Sequence, residues 1–434
     1  MSNAPASGSP PRQLGLLSAT ALVVASMIGT GVFTTSGFLL RDLGSPPRVL
    51  LAWLIGGFVA GCGALCYGAL GRHLPESGGE YLFLSRILHP AAGCVAGWIS
   101  LLVGFSAPLT AAAYGFGEYV KPWLPGWPPQ VTGSMLLVLF CALHSLHVSG
   151  GASVQNFTVA LKLALILLFV GFGFSRLPAP VSAAPAPDFS TGAFAVALVW
   201  VSFSYSGWNA AVYIGGEIRD PQRNLPRSLL LGTGVVALLY LALNVVFLFS
   251  TAPAQLAGRL EIGRIAAHAL GGPAWADAVT GLVALALITS VSSMMMAGPR
   301  VYARMAADGY LPRWLLTDRG PPWRAVLFQC VVALGMLWSA TYDRLLTYIG
   351  FTLSLSTATT VVGLIVLRRR EGTRLTVPGW PWVPALFLLA VLWMASFSIA
   401  RRPLESLAGL ATIALGWAAW RARRRDAGMT AAPR

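Results

Sequence analysis

Residues 25–33 read ASMIGTGVF and lie in the middle of an apolar stretch from about Leu14 to Leu40. Gly29 and Gly31, with Thr30 between them, stand at the centre of what should be a hydrophobic helix. Small residues spaced four apart let two helix backbones approach one another. Glycines two apart point about 200° away from each other on an ideal helix, so they cannot form one such face. What they can do is let the backbone leave the helix. Inside a bilayer, freed amide and carbonyl groups are tolerated only where they line a cavity or meet a ligand. The half-helix that resumes then offers unpaired N–H donors and a positive dipole end to an anion. The stretch predicts a discontinuous membrane helix with a binding site at its break.

The rest of the chain sets that helix in a polytopic membrane protein. Of 434 residues, 56% are hydrophobic and 10% charged, and the mean hydropathy is +0.69, far from the usage of a soluble domain. Apolar runs of bilayer-spanning length recur at about 14–40, 49–70, 91–113, 131–149, 154–175, 192–214, 229–250, 276–303, 325–341, 345–367, 381–400 and 404–420. Twelve transmembrane helices are expected, with no soluble domain. Residues 1–13 lack the basic start, short apolar core and small-residue cleavage site of a signal peptide and are expected to form a cytosolic tail.

Charge gives the orientation. If the N-terminus is cytosolic, roughly twenty cations fall on the cytosolic side, among them Arg12, Arg72, Arg86, Arg219, Arg223, Arg319, Arg368 to Arg370, Arg374 and the basic tail 421–434, against about nine outside. Both termini are therefore expected in the cytosol. The net charge of +15 needs no nucleic acid, because these arginines sit where anionic lipid is expected. Lys121 and Lys162 are the only lysines, a bias suggesting a GC-rich bacterial genome and so a bacterial inner membrane. All five cysteines fall within or at the ends of apolar runs and are expected to be small core residues rather than disulfides or metal ligands. Neither lysine follows a glycine, so no phosphate-cradling loop is present. No metal, cofactor or enzymatic site is expected, and any transport should be secondary.

The interruption of the first run recurs in the sixth, which contains FSYSGWN, Phe203 to Asn209. Inverted-repeat transporters place discontinuous helices in corresponding positions of both halves. Helices one to five (14–175) and six to ten (192–367) would be the two repeats, with helices eleven and twelve (381–420) added.

MIGTGVF in run one, GALCYGALGRHLPESGGEYLFLSR after run two, FSYSGWNAAVYIGGEIRDPQRNLPRS through run six and PRVYARMAADGYLP closing run eight resemble the amino acid–polyamine–organocation (APC) superfamily. The branch most similar is the L-type amino acid transporters and their bacterial relatives. The resemblance implies an all-α integral membrane protein with a LeuT-type 5+5 inverted repeat, helices one and six broken, and alternating access between them. Residue by residue it implies that the substrate's carboxylate meets the N–H groups of Thr30 and Gly31 and the Thr30 hydroxyl. Its ammonium would meet carbonyls of Met27, Phe203 and Ser206. Ile28, Gly29 and Ser204 belong to the same two breaks, Gly207 supplies freedom to unwind, Phe203 matches an aromatic gate, and Asn209 would hydrogen-bond the unwound segment. Ser206, Ala210 and Ser292 depart from residues common in relatives, which bears on side-chain specificity.

Lys162 stands in LKLALILLFVGFGF, eight residues or roughly 12 Å into run five. A lysine stem reaches only about 6 Å, so snorkelling to the headgroups is a long stretch, and an intramembrane cation points to function. The resemblance implies that its ammonium replaces the sodium ion found in coupled members of the fold, bonding helix-one carbonyls and a helix-eight hydroxyl, Ser290. Glu76 and Glu80 in PESGGEY, and Glu217 and Asp220 in EIRDPQRNLPR, sit in joints where charges are usually solvated, with ion pairing at an inner gate as the alternative. His144 and His147 are expected at the interface.

EYVKPWLPGWPPQVT, between runs three and four, has no cysteine, whereas animal heteromeric relatives bind a glycoprotein partner through one there. No disulfide-linked partner is expected. The chain is expected to be a sodium-independent amino acid transporter, an exchanger of neutral L-amino acids. The alternatives are a proton-coupled symporter, an exporter, or a non-transporting amino acid sensor.

Overall fold

The computed structural model describes residues 14–146, 151–178, 188–317, 322–372 and 375–430. Arg12, Arg319, Arg374, His147 and the extreme tails lie outside them. The described chain is all-helical, and its isolated β-bridge pairs Leu14 with Ile218. A helix lies on each of the twelve apolar stretches, and these stretches, in chain order, are spans one to twelve. Among the described residues, eight helices are long and apolar enough to cross a membrane, and Thr191–Ser204 and Trp323–Ser339 are shorter apolar helices.

Proline and glycine set the helix limits. Pro46, Pro90, Pro221 and Pro403 open helices at the first position, where the missing N–H is no loss. Gly44, at φ +73°, closes Ser36–Leu43 in the left-handed conformation. The longest helix, Ile262–Ala307, bends at Gly272, φ +78°, just before Pro273. The third span, Pro90–Val120, carries a π-helical insert at Ser100–Ser106. Pro108 lacks the N–H that would continue the ladder there, and within the insert the Ser106 hydroxyl donates to the Leu101 carbonyl at 2.8 Å.

The joints sort into two sets. The Leu14 segment bonds the joint after span six, Leu14 N–H to the Glu217 carbonyl at 3.0 Å and Arg219 N–H to the Leu14 carbonyl at 2.9 Å. Gly216 N–H in turn reaches Ser77 Oγ after span two at 3.1 Å. Arg370, ending span ten, donates to the Ile87 carbonyl, and Arg423 lies over the Tyr310 ring after span eight. In the other set, Arg402 reaches Asp343, Arg401 reaches Ser190, and Gly258 N–H bonds the Gly37 carbonyl. Among the described residues, the joints after spans two, six, eight and ten thus meet one another or the Leu14 and Arg423 segments, and joints after odd-numbered spans meet one another.

The core is built around Trp53, Trp200, Tyr67, Tyr205 and Tyr240, all buried. The most extensive helix pairing is Pro46–His73 with Pro221–Phe249. All five cysteines are free and buried.

Candidate functional site: two broken helices around a cavity

The first span stops at Met27, leaves helical geometry at Ile28 (ψ 84°) and resumes at Gly31. The sixth runs as Thr191–Ser204, turns through 205–209, and continues as a 3-10 segment, Ala210–Glu217. The two interruptions lie against each other. A Cβ at Gly31 would strike the Ser204 backbone, and one at Gly207 the Ser26 carbonyl. Gly207 also sits at φ +98°, where L side chains are strained. Gly31 therefore gives close approach as well as freedom to unwind.

The backbone groups freed by the first break are taken up by side chains from other helices, as a bilayer interior demands. The Met27 carbonyl accepts from Gly29 N–H at 2.8 Å and from the Tyr240 hydroxyl at 2.5 Å. Lys162, only 4% exposed, donates to the Ile28 carbonyl at 2.5 Å. Tyr119 donates to the Phe33 carbonyl at 2.7 Å. Thr35 Oγ1 and Ser204 Oγ lie 3.1 Å apart, and Ser204 also donates to the Trp200 carbonyl.

A cavity of about 480 Å³ opens along the breaks. Its wall includes Ser26, Ile28, Gly29 and Lys162, then Tyr205, Ser206, Gly207, Trp208 and Asn209, with Ser100, Gly104 and Phe105 of the π-helical insert and Ser290, Ser293 and Ser354 opposite. Thr30, Gly31, Phe203, Ser204 and Met27 are buried and do not line it. The aromatic residues on the wall are Phe105, Tyr205, Trp208, Tyr213 and Phe387, whereas Phe203 is packed in the core.

Three expectations change. Lys162 donates to the Ile28 carbonyl and makes no bond to Ser290 among the described residues, while the serine hydroxyl donates to the Ala286 carbonyl at 2.9 Å, an i−4 bond. Asn209 bonds not the unwound segment but Glu80 Oε1, at 3.0 Å. Glu80 is not solvated: it is 6% exposed and accepts from Tyr67, Asn209 and Ser356. It belongs to a short helix, Gly79–Ile87, in the joint between spans two and three. Burial there pushes its carboxyl up, against the three donors that pull it down. Glu76 does form an ion pair, with Arg86 at 2.5 Å, both half exposed. His144 is half-buried, its Nε2 3.0 Å from Ser292 Oγ.

One side of the broken helices is closed by a polar-aromatic layer. The Tyr342 hydroxyl lies 2.6 Å from Thr34 Oγ1, its ring stacks on Phe38 at 6.0 Å, and Tyr114 lies 5.7 Å away. Trp200 packs edge-on to Phe38 and donates to Thr347 at 2.8 Å. Phe38, Tyr114 and Tyr342 also floor a separate cavity of about 780 Å³, walled by charged residues of odd-numbered joints, including Glu118, Lys121, Arg259 and Asp343. Sequence reasoning did not single out Tyr240, Tyr342 or the third-span wall. Pro108 in mid-run was the available signal for the last.

The sequence model of the family described as "Amino acid permease" matches residues 14–417. The "Large neutral amino acids transporter small subunit 2" of Homo sapiens is 30% identical over 432 residues, 93% of this chain and 79% of that protein. The "Asc-type amino acid transporter 1" of Mus musculus is 28% identical, over 93% of this chain and 80% of that one. The "Serine/threonine exchanger SteT" of Bacillus subtilis (strain 168) is 27% identical, over 86% and 88%. With nearly its whole length matched and two broken helices meeting at a shared cavity, the chain belongs to the amino acid permease family, multi-pass membrane transporters of the APC superfamily and not enzymes.

Proposed function

We propose that the protein is a sodium-independent exchanger of neutral L-amino acids, working by alternating access around the paired breaks. The observation that carries this is the Lys162 ammonium on the Ile28 carbonyl. It places a fixed cation at the unwound segment, so the carbonyl is satisfied without a diffusible ion. The amino acid class comes from the names of the relatives, which include transporters of large neutral amino acids and a serine/threonine exchanger.

A zwitterion needs donors for its carboxylate and acceptors for its ammonium. The helix resuming at Gly31 leaves its first N–H groups without intrahelical partners, and we assign the carboxylate to Thr30 and Gly31; both are covered in the arrangement described, with Gly29 on the cavity wall beside them, so binding there requires the breaks to part. We assign the ammonium to the Ser206 carbonyl first. The Met27 and Phe203 carbonyls already accept backbone N–H bonds and take second place. We place the chain in a bacterial cytoplasmic membrane, acting without a disulfide-linked partner, with twelve spans in a 5+5 repeat (14–175 and 192–367) and both termini cytosolic. The sorting of even and odd joints into separate sets supports that arrangement.

Counterflow in proteoliposomes with twenty amino acids tests the reading. Neutral L-amino acids should accelerate efflux of a labelled neutral one equally in sodium and choline buffers, and amino acid amides, which lack the anion, should not. A strict sodium requirement, or transport of amides at the parent rate, overturns it.

A further inference from the structure

Glu80 is a buried carboxylate that the binding of an amino acid at the breaks does not use. Its Oε1 accepts from the Tyr67 hydroxyl of span two at 2.7 Å and from Nδ2 of Asn209, the last residue of the sixth-span break, at 3.0 Å; its Oε2 accepts from Ser356 Oγ of span ten at 2.6 Å. Tyr67 and Ser356 are themselves buried. One side chain therefore ties three separate helices together, and it borders the same cavity as the breaks. The titratable groups facing it are two phenols, Tyr67 from Pro46–His73 and Tyr213 from the 3-10 segment. Tyr342–Glu371 contributes the Ser356 hydroxyl, and Pro90–Ile99 brings no charged group to it among the described residues. A carboxylate buried without a cation depends on its hydrogen-bond donors.

We propose that Glu80 is a proton-binding latch: as a carboxylate it holds spans two, six and ten in the arrangement described, and binding a proton releases span six for the transport cycle. The proposal rests on the chain being a transporter with a moving sixth span, and not on which amino acid it carries. Hydrogen bonds to a charged acceptor are roughly twice as strong as neutral ones, so protonation weakens all three. Conversely, when Asn209 moves off, the carboxylate loses a donor and its proton affinity rises. High pH therefore favours the latched arrangement and low pH the released one. Each unit of difference in proton affinity between the two arrangements can change their population ratio by about tenfold. Glu80 acts through helix positions and not on the substrate, so it is a positioning residue.

The test is a pH profile read two ways: counterflow rate, and labelling of a single cysteine at Ser293 on the cavity wall in the absence of any substrate. The labelling arm keeps the latch testable even if the amino acid assignment fails. Burial pushes the Glu80 carboxyl above the ordinary carboxylate range, so native protein should show a transition in both at a pH above that range. Glu80→Gln keeps an acceptor and a donor in place but cannot ionise, and should flatten it. Tyr67→Phe and Ser356→Ala each remove one donor to the carboxylate, raising its proton affinity, so the transition should move to higher pH. These variants also stand in if Glu80→Gln fails to fold. An unchanged profile in Glu80→Gln overturns the latch, as does a donor variant that lowers the rate equally at every pH without moving the transition.

Discussion

Two side chains serve neighbouring carbonyls of the first break, and they should not matter equally. Lys162 is the donor to the buried Ile28 carbonyl, whereas Tyr240 shares the Met27 carbonyl with Gly29 N–H. Lys162→Ala leaves an unsatisfied buried acceptor, costing about 1 to 3 kcal/mol, enough to shift a conformational equilibrium by about tenfold. Tyr240→Phe leaves Met27 with one partner and should cost about 0.5 to 1.5 kcal/mol. Counterflow rates should therefore fall further in Lys162→Ala than in Tyr240→Phe, with substrate affinity changing less than turnover in both. The reverse order would remove Lys162 from the mechanism. Gly207 gives a steric prediction. Alanine there meets both a positive φ and the Ser26 carbonyl, and strain plus overpacking of about 2 to 4 kcal/mol should lower the thermal unfolding midpoint and abolish exchange. Alanine at Gly171, which has open space around it, is the control.

At the scale of elements, the closed side of the protein hangs on the contacts that join spans one, three, six and ten. Tyr342→Phe removes one hydroxyl pairing with Thr34, and Tyr342→Ala also removes the ring stacked on Phe38. A single cysteine at Leu22, on the inner cavity wall, should become reactive from the odd-joint side slightly in the phenylalanine variant and strongly in the alanine variant. Equal, negligible labelling in both would show that the layer is not the barrier. The broken elements were legible in sequence because breaking a membrane helix takes small residues that local inspection can find: Gly29, Thr30 and Gly31, then Ser206 and Gly207. The partners were less so. Tyr240 and Tyr342 look like packing residues in apolar runs, and only folding shows which carbonyl or hydroxyl each reaches. Glu80 sits in a polar joint that reads as solvated, and what buries it comes from span two and from Ser356, 276 positions away. Lys162 was legible as an intramembrane cation beside the first break, but not that its carbonyl partner is Ile28, which depends on how the fifth and first spans pack.

For the whole molecule, the sorting of joints gives a topology that labelling can check. Single cysteines at Arg86 and Arg423, on the even-joint face, should react from the cytosol, and those at Lys121 and Arg344, both largely exposed, from outside. Opposite labelling would invert the orientation taken from the arginine distribution. The crossed glycine contacts have a mechanical consequence. Gly31 backs onto Ser204 while Gly207 backs onto Ser26, so in this arrangement neither broken helix has room to rotate past the other. In the alternating access proposed above, the pair would therefore turn as one axle, and a molecule held between the two breaks would ride with it past the walls supplied by spans three, eight and ten.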